Sequence, residues 1–185
     1  MTLYKHAALQ MGIALLVFTL WAAADSWYLL TGLAIASALA IITALLAGIT
    51  LASIVHEWSH FAGARFSNSS YTIPKKTGTF VYDFDFDKNS LRQFNIMSCA
   101  GQIGSWATVI ALLLLIPMDS SGRVMLVAGA VGSAVFAAMV EWPVLLRTQK
   151  SGKPLEELSK IDQQVLKRSG IGASASVLAI WLLFA

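Results

Sequence analysis

The sequence predicts an all-α integral membrane protein with about five transmembrane helices and a small cytoplasmic β-hairpin. Three observations predict it. Hydrophobic residues fill 57% of the 185 positions and charged residues only 12%, against about 25% charged in a soluble domain. The apolar residues fall in runs close to the roughly 20 residues needed to cross a bilayer. Finally, 12 of the 13 lysines and arginines lie on one side of those runs. With a core bounded by lipid, residues 1–185 read as one membrane domain. Cys99 is the single cysteine, so there is no disulfide framework. The net charge of +3 gives no reason to expect a nucleic-acid partner; where the charges sit says more.

The first span covers about residues 7–24. Its Ala22-Ala23-Ala24 also satisfies the small-x-small rule of a secretory signal, with Lys5 as a weak basic start; a retained helix is the reading adopted. A short turn at Asp25-Ser26 follows, and Trp21, Trp27 and Tyr28 form an interfacial belt around it. The second span covers about 29–64 and has room to tilt. The third covers about 94–116, the fourth about 124–146, and the last about 171–185.

Between the second and third spans, residues 71–87 read as a β-hairpin. Pro74-Lys75-Lys76-Thr77-Gly78 makes the turn, and residues 80–87 alternate. Phe80, Tyr82, Phe84 and Phe86 face membrane or protein, while Asp83, Asp85 and Asp87 form a solvated face. Residues 154–168 read as an interfacial amphipathic helix, with Pro154 in the first turn and Leu155, Leu158, Ile161 and Val165 as its apolar stripe. The basic residues fix the orientation. Only Arg123 lies opposite the other twelve, so the positive-inside rule places the N-terminus and both long loops in the cytoplasm. The expected location is a bacterial inner membrane.

The chemistry centres on His56-Glu57-Trp58-Ser59-His60. Histidines at i and i+4 share one helix face, so two imidazoles can hold one cation, and the adjacent glutamate can take a proton from water there. This His-Glu-x-x-His spacing is that of zinc hydrolases. Glu57 and Glu141 are the only carboxylates within the predicted spans. A charge at that depth costs at least about 2.5–3.5 kcal/mol on insertion scales, so each needs a reason to be there. Glu141 lies six residues before Arg147, about 9 Å along a helix, and His60 five before Arg65, about 7.5 Å. That similar depth makes Glu141 a candidate third ligand, brought over by a kink at Pro143. Pairing with Arg147 or snorkelling to the interface is the alternative. Gln102, in the small-residue run 98–105, is a candidate donor to a substrate carbonyl or a bridge between helices. His6 is expected at the interface.

These residues resemble the site-2 protease family of intramembrane metalloproteases. The resemblance is carried by the pentapeptide on a membrane helix, the following hairpin, Gly101-Gln102 in the next helix, and a later acidic residue. It covers about residues 29–147 and is specific only at the pentapeptide. It implies zinc held by His56 and His60, Glu57 as catalytic base, and hydrolysis of a transmembrane protein substrate held extended along the hairpin edge. The family's usual third ligand is an aspartate in a Leu-Asp-Gly or Asn-Pro-Asp-Gly setting. Here Glu141-Trp142-Pro143 stands in that place, and the chain would be a minimal form without a regulatory domain. The competing reading is a non-catalytic membrane subunit that keeps the metal site to bind membrane protein partners. A di-iron membrane oxygenase is excluded, because 3 histidines are too few for it.

Overall fold

A computed structural model describes residues 3–76, 78 and 80–185. It contains α1 (Leu3–Thr31), α2 (Ala34–Phe66), β1 (Tyr71–Thr72), β2 (Asp83–Phe84), α3 (Leu91–Leu115), α4 (Ser121–Ser151), α5 (Pro154–Leu158) and α6 (Gln163–Phe184). Five of the helices are long and apolar enough to cross a membrane. The all-α membrane architecture expected from composition is therefore present. Helix α2 is central, packed against α1, α3 and α4, while α6 rests on α4. The α2–α4 crossing is close because each helix offers a glycine to the other's backbone. A Cβ on Gly48 would strike the Leu126 carbonyl, and one on Gly129 would come 2.6 Å from the Leu45 carbonyl. Small residues at such crossings let helices pack without help from a hydrophobic effect, which lipid does not supply.

Local signals set most helix ends. Ser90 and Gln93 form a capping box at the start of α3, and Ser120 and Asp162 cap α4 and α6. Gly32 ends α1 with φ 66°, a left-handed conformation that costs glycine nothing.

Several boundaries differ from those expected. Helix α1 continues through Asp25-Ser26 to Thr31, so the turn falls at Gly32-Leu33. Asp25 is therefore a third carboxylate inside a spanning helix, and it is 4% exposed. It is tolerated there because Arg123 Nε donates to its Oδ2 at 3.0 Å and Ser120 Oγ to its Oδ1 at 2.9 Å. A second arginine nitrogen binds Asp119 at 2.8 Å. The one basic residue outside the charge partition is thus the partner that a buried aspartate requires.

The expected interfacial helix over 154–168 is two pieces. Helix α5 stops at Leu158, and Asp162 caps a new helix, so α6 starts eight residues before the expected 171. Leu158 and Ile161 turn into an aromatic cluster beside the hairpin. Glu157 joins α5 to α4 and accepts from Arg147 Nε at 2.9 Å and from Lys160 Nζ at 2.8 Å. The Lys160 bond, reinforced by Arg147, holds its carboxyl below the ordinary range.

The hairpin is shorter than its alternation implied. Among the described residues, only Tyr71 with Phe84 and Thr72 with Asp83 pair. Thr77, part of the expected turn, lies outside the described residues, as does Thr79. Strict alternation fails because Val81 and Tyr82 are both buried whereas Phe80 is 67% exposed. It ends at Asp85, whose carboxylate accepts from the backbone of Asp87 and Lys88, each at 3.2 Å. Such local bonds compete with a strand ladder. The Lys88 ammonium also lowers the Asp85 carboxyl from its ordinary value.

His6, expected at the interface, is buried within the protein. Its Nε2 donates to the Pro74 carbonyl at 3.3 Å, tying α1 to the loop that leads into the hairpin.

Candidate metal centre

His56 and His60 lie one turn apart on α2, their rings edge to face with centroids 4.3 Å apart. Helix α3 holds both from behind. His60 Nδ1 donates to the Met97 carbonyl at 2.8 Å, and His56 Nδ1 to the Gly101 carbonyl at 3.0 Å, with Ser105 Oγ also 2.9 Å away. Met97 and Gly101 are also one turn apart, so two helical repeats are in register across the contact. A carbonyl oxygen can only accept, which places the proton of each neutral ring on Nδ1 and a lone pair on each Nε2.

Those two Nε2 atoms are 2.9 Å apart. Glu141 Oε1 lies 2.8 Å from the first and 3.3 Å from the second. Three lone pairs thus converge at short range, and in this tautomer no proton lies between them. That arrangement is repulsive unless a metal ion occupies its centre or one imidazole takes up a second proton. Ligand bonds of about 2.0–2.1 Å in a tetrahedron set donor atoms about 3.3 Å apart, near the separations seen here. His56, His60 and Glu141 could therefore hold one metal ion, and three protein ligands leave a fourth position open.

Glu141 reaches the histidines from within a continuous helix. The kink expected at Pro143 does not interrupt α4, which remains helical to Ser151. Proline removes only one N–H from the ladder, and Val144, Leu145 and Thr148 just beyond it are buried. Arg147, the alternative partner of Glu141, pairs with Glu157 instead.

Gln102 is 4% exposed, and its Nε2 donates to Glu141 Oε2 at 2.7 Å. That bond engages one carboxylate oxygen and leaves Oε1 facing the histidines. Its other terminus, Oε1, is buried with no partner among the described residues. Gln102 therefore orients the ligand carboxylate. Hydrogen bonds of this kind typically change metal affinity 10–100-fold. Gln102→Leu should weaken metal binding by about that factor while the chain still folds, which equilibrium titration with a metal-competing dye would read. Unchanged affinity would remove Gln102 from the centre.

Glu57 has no hydrogen-bond partner among the described residues. It lines a cavity of about 330 Å³ together with His60, Glu141, Tyr82 and residues of the hairpin. It also lines a cleft of about 440 Å³ between α1 and α2. Beside it, Trp58 Nε1 donates to Gln10 Oε1 at 2.7 Å and fastens α1 to the motif. Burial, and then the nearby carboxylates Glu57 and Glu141, push the Tyr82 phenol above its ordinary value. A basic residue is absent from the wall of the 330 Å³ cavity among the described residues.

The structure thus brings together His56, His60, Glu141 and Gln102, with Glu57 beside them. Sequence reasoning missed Met97, Gly101 and Ser105 as anchors of the rings. The small-residue run 98–105 was the available signal, but it announces close packing and not which carbonyls point at a histidine. Gly101 is needed for that approach, since a Cβ there would enter the His60 ring. Comparison of the chain with models of known protein families, with curated proteins and with solved structures finds no match.

Proposed function

We propose that this chain is an intramembrane zinc metalloprotease, similar to the site-2 protease family, acting on a membrane-spanning protein substrate. The observation that carries the reading is the convergence of both Nε2 atoms and Glu141 Oε1 beside an unpaired Glu57. Two histidines, one carboxylate and an open position are the donor set of hydrolytic zinc sites. Bound zinc supplies a water with pKa lowered toward about 7 and polarises the scissile carbonyl.

The chain's own residues do the rest. Glu57 takes a proton from the attacking water and later gives it to the leaving amide nitrogen. A merely structural metal site has no need of an unpaired carboxylate there. Gln102 holds Glu141 in one orientation throughout. The hairpin places Phe80, Tyr82, Phe84 and Phe86 around the cavity beside the centre, and water would reach the centre through it. The charge partition supports placing the N-terminus and the hairpin in the cytoplasm, with cleavage near that face.

The test uses purified protein in liposomes with a single-span substrate whose helix carries a weakening Gly or Asn. Cleavage should vanish after chelation and return with added zinc but not with magnesium, which prefers oxygen ligands. Cleavage that survives complete metal removal would refute the proposal.

A further inference from the structure

Adding water to a peptide carbonyl turns its oxygen into an oxyanion, and sites that do this place hydrogen-bond donors where that charge develops. Gln102 is not placed for this, because it does not line the 330 Å³ cavity and one of its two Nε2 hydrogens is held by Glu141. Apart from Glu57, His60 and Glu141, the described wall residues are phenylalanines, Met97, the exposed Asp83 and Tyr82. The phenylalanines and Met97 have no polar hydrogen, and a carboxylate only accepts. Tyr82 is the side chain left to donate.

Its setting fits the task. Tyr82 is 8% exposed and follows the fully buried Val81. Its ring is fixed by Phe61 at a centroid distance of 5.5 Å and by Tyr71 at 5.9 Å. Its hydroxyl makes no hydrogen bond to any described residue and, unlike the ring, is not sealed in the packing, so it opens onto the cavity. An unpaired donor held rigidly at the wall of the cavity, next to the base and the ligands, is a group whose partner arrives with the substrate.

We propose that Tyr82 is a catalytic residue of this centre, its phenol O–H donating to the oxyanion formed from the scissile carbonyl. This rests on the protease reading above. As the water oxygen bonds to the carbonyl carbon, the water proton passes to Glu57 and the carbonyl π pair moves onto oxygen, where Tyr82 meets it. As the carbonyl re-forms, the C–N bond breaks, the Glu57 proton goes to nitrogen, and the Tyr82 hydrogen bond weakens. Tyr82 neither gains nor loses a proton over the cycle.

Tyr82→Phe removes one oxygen and keeps the ring. In the liposome assay it should lower kcat roughly 100-fold, leave KM within about twofold, and leave the zinc content per chain unchanged. Tyr71→Phe is the control, a packing neighbour off the cavity wall, and should match wild type. A Tyr82→Phe variant with wild-type kcat overturns the assignment. So does one that loses zinc or fold, or a Tyr71→Phe variant that falls as far, since each makes the tyrosine structural. Glu57→Gln run alongside separates the two levels. If it is inactive while Tyr82→Phe is normal, only the tyrosine's role fails; if both match wild type, the protease reading fails with it.

Discussion

Glu57→Gln should bind zinc as wild type does and lose at least about 100-fold in cleavage. The substitution keeps the size and the hydrogen-bonding reach of the side chain, but an amide oxygen does not take a proton from water as a carboxylate does. Zinc binding should survive because the three convergent atoms belong to His56, His60 and Glu141, and Glu57 makes no bond to any of them. The fold should survive for the same reason. Substrate cleavage followed by gel, with zinc measured on the same preparation, reads both effects at once. A variant that cleaves like wild type would make the chain a non-catalytic membrane subunit built on a hydrolase-like site.

Gly101→Ala should cost at least about tenfold in zinc affinity with little change in overall stability. The new methyl group would occupy space held by the His60 ring, and a side chain yields more readily than two packed helices. Turning His60 away breaks its bond to the Met97 carbonyl and swings Nε2 out of the cluster. Gly12→Ala is the matched control, because a Cβ there meets nothing within 4 Å. Zinc per chain and the melting temperature of both variants check the claim. Full zinc in Gly101→Ala would show that His60 is not a ligand in the orientation described.

How much of this was legible in the sequence depends on how local the cause is. The spanning helices follow from hydropathy, which each segment carries by itself. The histidine pair follows from helix periodicity, and Glu141 emerged because an intramembrane carboxylate needs a reason. The boundary misreadings have causes distant in the chain or backbone causes. Asp25 looked like a turn because its partner Arg123 lies 98 residues away. Arg123 in turn looked like a stray charge. The hairpin alternation was true of residue types, yet Asp85 captured backbone N–H groups that a strand would have paired. The carbonyls of Met97 and Gly101 belong to no residue type, so no pattern of letters could single them out. Pro143 was read as a place where α4 kinks or opens; the helix does not end there but continues to Ser151.

The central claim is that His56, His60 and Glu141 hold one zinc ion. The most direct test is metal analysis of wild type and His56→Ala, purified in parallel with zinc supplied throughout. Wild type should carry about one zinc per chain and His56→Ala close to none, since two remaining ligands do not retain the ion. Wild type that stays free of zinc, or His56→Ala that keeps a full equivalent, would contradict the account.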